Sequence, residues 1–344
     1  MRRFAILAGQ LLIVLFLIDG VVDFAYPTAR FVITRGQALL APEAPEAANV
    51  WSAFASRWVA GVGIVPDPVA SPVLNVDATG RRSTGQTPGP GPAGLLLGSS
   101  QAFGFRVPDD DTFAAALERR LSGVTVMNFS APGRSTSQSM MQWLKLAESG
   151  IEPDFVLMLF SGVEIADECW AVPPTYRSET RPALIRVPQQ VSDLLSSDGG
   201  RDYPCASEDA RNWVVMRSIY EIRSAIATAR DRGTRFAMVV APTLYGNDAP
   251  NDAVRAQMDP ETVRTMDLTV REFRRRLAAE RIPDVIDLSG LFDNGPESLM
   301  VDIGSHFDRR GAEILAQAVV ERLPADFFSK AGTQVAPPAN DANR

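Results

Sequence analysis

A serine, a histidine and an aspartate can together cleave or transfer an ester, and this chain offers a candidate for each. Ser100 lies in the segment Gly-Leu-Leu-Leu-Gly-Ser-Ser-Gln-Ala-Phe-Gly (94–104), and His306 is the one histidine among 344 residues. A serine hydroxyl is a poor nucleophile at neutral pH unless a base takes its proton. A neutral imidazole suits that task, and a carboxylate such as Asp302 usually fixes its tautomer. Any Ser–His mechanism in this chain must therefore use His306.

Short apolar runs alternate with helical patterns and predict the elements that position these residues. The runs are Leu95–Leu97, Val124–Met127, Phe155–Phe160, Phe236–Ala241 and Val285–Ile286. Helices are predicted after Asp109–Asp111, at Ser137–Glu148, Asn212–Arg232 and Pro260–Glu280, and around Ile314–Leu323. Runs that are apolar throughout suit parallel strands covered on both faces. Five such units predict an α/β fold with an open, doubly wound, parallel five-stranded sheet.

The candidate residues all follow strands of this sheet. In an open α/β sheet, ligands bind beyond the carboxyl ends of the strands. Ser100 follows the first predicted strand, Gly133 the second and Ser161 the third, and Asp302 and His306 lie beyond the fifth. We therefore expect these five residues at one edge of the sheet.

Several of these segments resemble the SGNH (GDSL-type) serine hydrolases. Segment 94–104, followed by Val-Pro-Asp-Asp-Asp-Thr-Phe (107–113), looks like the first block of that family. Met-Asn-Phe-Ser-Ala-Pro-Gly (127–133) is similar to the second block, and the stretch from Asp287 to Gly311 is similar to the last one. The resemblance covers roughly residues 94–325 and implies a flavodoxin-like fold.

The resemblance also implies a role for each candidate residue. Ser100 would be the nucleophile, His306 the base and then the acid, and Asp302 the residue that orients His306. The backbone amides of Ser100 and Gly133 would form the oxyanion hole.

Three departures from the family pattern bear on the chemistry. Ser99 precedes the nucleophile where the family has Asp, and the spacing from Asp302 to His306 is one residue longer than Asp-x-x-His. Val163 stands where the third block has an Asn that donates to the oxyanion. Losing one such donor can cost on the order of 100- to 1000-fold in rate. Either the amides of Ser100 and Gly133 suffice, or Ser161 substitutes for the missing donor.

The N-terminus has the pattern of an export signal. Arg2 and Arg3 precede an uncharged, largely apolar run, Phe4–Ile18. We expect an uncleaved signal anchor over residues 1–26, with a cleaved signal as the alternative. The positive-inside rule places the rest of the chain outside the cytoplasm, in the periplasm or the extracellular space. The protein would then contact the membrane through this helix.

The two cysteines are interpreted in the light of that location. In an oxidising compartment, Cys169 and Cys205 are predicted to form a disulfide, and two free buried cysteines are the alternative.

The remaining segments predict the domain organisation. Residues 27–93 are expected to be a stalk with a small cap, including a short amphipathic helix at Trp51–Val65 and a Pro/Gly-rich linker at Ser83–Gly94. The hydrolase-like domain is assigned to residues 94–328, and residues 329–344 are expected to be a disordered tail.

Charge and composition exclude some functions. The net charge is −7 and no basic stripe is present, which argues against nucleic acid as a partner. One histidine and two distant cysteines are too few for a tetrahedral zinc site, so no metal or other cofactor is predicted.

Three functions fit these observations. The first is an esterase acting on acyl groups, such as O-acetyl esters of envelope or secreted polysaccharides or of small molecules. The second is an O-acyltransferase that uses the same residues, with a sugar hydroxyl in place of water. The third is a non-catalytic envelope protein that binds glycan.

An α/β-hydrolase is the nearest rival fold, because segment 98–102 resembles a Gly-x-Ser-x-Gly elbow. That fold has several strands before its elbow, however, and usually a wide gap between acid and base.

Overall fold

The computed structural model of the protein describes residues 54–171, 205–246, 252–256, 258–293, 299–302, 304–324 and 326–330. The strands are β1 (Ser56–Val59), β2 (Gly63–Pro66), β3 (Val69–Ala70), β4 (Asn75–Val76), β5 (Ala93–Gly98), β6 (Thr125–Asn128), β7 (Phe155–Phe160), β8 (Arg235–Val240) and β9 (Val285–Asp287). The helices are α1 (Ser100–Phe103), α2 (Phe113–Arg120), α3 (Thr136–Glu148), α4 (Gly162–Ala171), α5 (Glu208–Asp231), α6 (Asp252–Arg255), α7 (Pro260–Glu280) and α8 (Arg309–Arg322).

Five parallel strands form the central sheet, in the order β6–β5–β7–β8–β9. All six residues of β7, at the middle of this sheet, are buried, as the uniformly apolar run predicts. The flanking helices form two groups: α2 packs against α8, and α5 packs against α3, α4 and α7. The predicted parallel α/β sheet is confirmed.

Capping residues set where the main helices begin. Ser135 and Gln138 form a capping box at the start of α3, and Asp259 caps α7 in front of Pro260. Thr112 accepts a hydrogen bond from the backbone amide of Ala115 and caps α2. Asp109–Asp111, after which the sequence predicts a helix, form a 3₁₀ turn just before this cap.

The segment before the sheet differs from the sequence-based expectation. Within Trp51–Val65 the described residues, from 54 onward, form the antiparallel hairpin β1–β2 and not a helix. Gly61 and Gly63 have φ of +78° and +90°, which suits a turn and interrupts a helix.

The described part of this segment, residues 54–93, does not form a separate stalk. Leu74 and Val76 pack with Phe103 and Phe105, two residues that follow Ser100. Residues 54–93 are therefore part of the domain that carries the site. The rest of the predicted stalk, residues 27–53, lies outside the described residues.

The predicted signal anchor (1–26) and most of the predicted tail, residues 331–344, also lie outside the described part of the chain. Among the residues that the structure describes, no helix is both long and apolar enough to cross a membrane.

A disulfide joins Cys169, near the end of α4, to Cys205, just before α5. Their Cα atoms are 5.4 Å apart, and both residues are completely buried. The bond ties the end of α4 to the start of α5.

Candidate active site

Ser100 is the first residue of α1, directly after the carboxyl end of β5. The sharp turn between the two elements requires glycine, because Gly98 has a φ of +147° and a Cβ there would lie 2.5 Å from the carbonyl oxygen of Leu159. Ser100 is 7% exposed. Its hydroxyl and its backbone amide have no hydrogen-bond partner among the described residues. Both groups remain available to a bound substrate.

The neighbouring hydroxyl of Ser99 has a different environment. Ser99 Oγ lies 3.1 Å from Ser161 Oγ, and both side chains are buried. Ser161 in turn donates its backbone N–H to Glu164 Oε1 at 3.2 Å. Ser99 thus links the ends of β5 and β7, and the Ser161 hydroxyl is paired within this link. The oxyanion role of Ser161 stays a prediction.

Asp302 and His306 form a bonded pair. His306 Nδ1 lies 2.7 Å from Asp302 Oδ2 and 2.8 Å from Oδ1. Because a carboxylate accepts the Nδ1 proton, Nε2 is left with its lone pair, as a general base requires. Nε2 is buried and has no hydrogen-bond partner in the described part of the chain.

The unusual Asp-to-His spacing is accommodated by the backbone. Ser305 has a φ of +58°, and its N–H donates to the Asp302 carbonyl at 3.0 Å. Gly304 N–H donates to Asp302 Oδ1 at 2.8 Å. This turn absorbs the extra residue and returns the imidazole to the carboxylate.

The charge of Asp302 is set by opposing effects. Burial raises its pKa, but the charges and hydrogen bonds of His306 and the charge of Arg106 lower it more, to about 2. Asp302 is therefore ionised at neutral pH.

This low pKa predicts a specific pH dependence of stability. A depressed carboxylate pKa contributes stability above the pKa of an unfolded aspartate, about 3.9, and loses it as the pH falls through the folded value. We expect Asp302→Asn to lower the free energy of unfolding by on the order of 2 kcal/mol at pH 7. The difference should persist to about pH 5 and vanish near pH 2, in urea unfolding of both proteins.

Asp67→Asn is the matched control, because Asp67 forms an exposed ion pair with Arg57. Asp67→Asn should lower the free energy of unfolding by less than about 1 kcal/mol. An equal loss for Asp302→Asn at pH 7 and pH 2.5 would contradict the assignment.

Gln101 connects the two halves of the site. Its Nε2 donates to the Ser305 carbonyl at 2.5 Å and to the Pro242 carbonyl at 3.1 Å. The residue after Ser100 is thus bonded to the residue before His306. No hydrogen bond joins the Ser100 hydroxyl to the imidazole in the described structure, and catalytic hydrogen bonds often tighten only when substrate binds.

Gly133 lies in the turn after β6, with a φ of +76°. Ala131 N–H donates to the Gly98 carbonyl at 3.1 Å, which holds this turn against the end of β5, the strand that precedes Ser100. The buried guanidinium of Arg134 donates to the carbonyls of Ile64 and Phe129 and fixes the turn from the other side. The Gly133 amide has no acceptor among the described residues.

The structure thus brings Ser100, Asp302, His306 and Gly133 to the same edge of the sheet. Sequence reasoning missed Arg106, whose guanidinium contacts Asp302, and no motif marked it.

Val163 falls in α4. No group of three or more His, Cys, Asp or Glu that could hold a metal occurs in the described ranges.

Comparisons with known proteins find similar solved structures. One is a member of the lipolytic G-D-S-L family from Veillonella parvula, 17% identical, covering 67% of this chain and 97% of that chain with a TM-score of 0.41. A second is a lipase from a goat rumen metagenome, 16% identical, covering 67% and 96% with a TM-score of 0.42.

A third is a catalytic mutant of an acetylxylan esterase from Geobacillus stearothermophilus, 15% identical, covering 72% and 96% with a TM-score of 0.38. No family model and no curated protein matches the chain. The function proposed below therefore rests on the residues of this chain.

Proposed function

We propose that this protein is a serine hydrolase of SGNH type that cleaves acyl esters. The observation that carries the proposal is the Asp302–His306 pair, whose tautomer leaves Nε2 as a base. Gln101 ties the loop of that pair to the segment of Ser100, the serine whose hydroxyl is left unpaired. A purely glycan-binding protein would have no need for this arrangement.

The proposed reaction proceeds through an acyl-enzyme. Ser100 Oγ attacks the ester carbonyl carbon while its proton passes to His306 Nε2, and Asp302 stabilises the imidazolium. The amides of Ser100 and Gly133 donate to the oxyanion of the tetrahedral intermediate. The C–O bond to the alcohol then breaks, and His306 protonates the departing alkoxide. Water, deprotonated by His306, then attacks the acyl carbon. The bond to Ser100 Oγ breaks, His306 returns the proton to Oγ, and the acid is released.

The proposed substrates are O-acetyl esters of envelope or secreted polysaccharides. A polysaccharide is proposed as the substrate because the protein is proposed to lie outside the cytoplasm, with residues 1–26 as a membrane anchor.

A fluorophosphonate probe tests the proposal, because it labels only an activated serine. We expect the purified full-length protein to be labelled, and the label to be absent from Ser100→Ala and His306→Ala. Circular dichroism establishes that each variant is folded. Absence of labelling in folded wild-type protein would contradict the proposal. Acetate release with and without a glycan acceptor then measures how much of the acyl group goes to water and how much is transferred.

A further inference from the structure

Arg106 contacts the acidic member of the proposed triad. Its Nε lies 2.8 Å from Asp302 Oδ2, and the two side chains are 15% and 12% exposed. Arg106 comes six residues after Ser100, whereas Asp302 belongs to the loop of His306. The ion pair therefore joins the segment of the nucleophile to the segment of the base.

The backbone of Arg106 is held in an unfavourable conformation. Its φ is +72°, in the left-handed region, where a residue with a side chain costs on the order of 1 kcal/mol. Such residues persist where the surrounding structure holds them, and they cluster at functional sites. A glycine would satisfy this backbone without strain, so the side chain of Arg106 needs an explanation of its own.

We propose that Arg106 is a positioning residue of the Ser100–His306–Asp302 triad. Its guanidinium fixes the orientation of the Asp302 carboxylate and partly offsets the negative charge of that carboxylate next to His306. This inference rests on the proposed function. Asp302 Oδ2 lies within 2.8 Å of both His306 Nδ1 and Arg106 Nε, so the carboxylate is held from two sides. Without the guanidinium, the Asp302 carboxylate would be oriented only by the imidazole of His306 and by the loop that contains both residues.

Arg106 has an electrostatic consequence as well. A cation next to the Asp302–His306 pair opposes protonation of the imidazole, so its removal should make His306 titrate at higher pH. Besides Asp302 on the same loop, Asp111 lines a recess together with His306, and Arg309 forms an ion pair with Asp111. The phenol of Tyr245 is near Asp302, and burial raises its pKa, so it is neutral at pH 7. Among the described residues, Arg106 is the cation that contacts the carboxylate paired with the imidazole.

The single histidine makes this consequence directly measurable. In NMR spectra of the full-length chain with labelled histidine, all imidazole signals belong to His306. We expect Arg106→Gln to raise the titration midpoint of His306 by about 0.5 to 1 pH unit. Arg106→Lys, which keeps the charge, should stay close to wild type. Arg57→Gln, at an exposed ion pair, is the control and should cause no shift.

Kinetics provide the second measurement. For a soluble acetyl ester, the acid limb of kcat/KM should move upward by the same amount in Arg106→Gln. At the pH optimum, kcat/KM of Arg106→Gln should fall about tenfold because Asp302 is less well oriented. Arg106→Lys should restore the position of the acid limb and only part of the rate, because lysine lacks the planar fork.

A second variant protects the test against misfolding. Arg106→Gly removes the same charge and suits a positive φ, so it should fold and show the same shift as Arg106→Gln. An unchanged His306 titration in the folded variants would overturn the inference, and so would a rate loss without movement of the acid limb. Because the titration is measured without substrate, an inactive wild-type protein would refute the proposed function separately.

Discussion

Ser100→Ala should lower kcat for a soluble acetyl ester by a factor on the order of 10⁴ to 10⁶, with little change in KM. The large effect is expected because, in the proposed mechanism, the hydroxyl of Ser100 forms the covalent bond to the acyl group. The remaining rate would come from substrate binding and from the amides of Ser100 and Gly133, which the substitution leaves in place. Initial rates of acetate release at several substrate concentrations separate kcat from KM.

Ser99→Ala is the matched control for this prediction. Ser99 Oγ is paired with Ser161 Oγ in a buried link, so its removal should cost about 1 kcal/mol of stability and less than about tenfold in kcat. The reverse result, an inactive Ser99→Ala beside an active Ser100→Ala, would show that Ser99 and not Ser100 is the nucleophile.

The central sheet could be predicted because its strands are marked locally. Phe155–Phe160 is apolar throughout and is bounded by turn residues, and the structure has β7 over the same six residues. Pro260–Glu280 is a helix with the predicted bounds because Asp259 caps it and proline suits its first turn. Such signals involve only neighbouring residues, so one sequence suffices to detect them.

The contacts that complete the site could not be predicted, because they depend on distant residues. Gln101 and Ser305 are separated by 204 positions, and nothing in either segment indicates their hydrogen bond. The extra residue between Asp302 and His306 is absorbed by the positive φ of Ser305, which a spacing rule does not anticipate. The sequence predicts a helix where the hairpin β1–β2 lies, because the apolar residues of this short stretch also fit a helical period.

Arg82 is a second long-range element, and it should have the largest effect on stability. The side chain is completely buried, with Nε 2.9 Å from Asp109 Oδ1. Its two Nη groups donate to backbone carbonyls of the segment after Ser100, at 2.9 Å to Phe103, 2.6 Å to Gly104 and 2.6 Å to Val107. Burial lowers the pKa of Arg82, and Asp109 opposes that effect.

Arg82→Met should lower the free energy of unfolding by about 3 to 5 kcal/mol. The substitution leaves the Asp109 carboxylate buried without its cation and removes the donors from three carbonyls, whereas the volume of the side chain is nearly kept. Because those carbonyls belong to the segment from Phe103 to Val107, which follows Ser100 and contains Arg106, kcat for an acetyl ester should fall as well. Urea unfolding at pH 7 measures the stability, and rates measured well below the unfolding transition separate the two effects.

Two further variants make this result interpretable. Arg119→Met removes a partly exposed arginine that pairs with Glu313, and it should cost less than about 1 kcal/mol. Arg82→Met combined with Asp109→Asn should be more stable than Arg82→Met alone, because the unpaired buried charge is then gone. If Arg82→Met cost no more than Arg119→Met, the buried ion pair would not be what holds the loop after Ser100. The hydrophobic contacts of Leu74 and Val76 with Phe103 and Phe105 would then be the principal restraint on that loop.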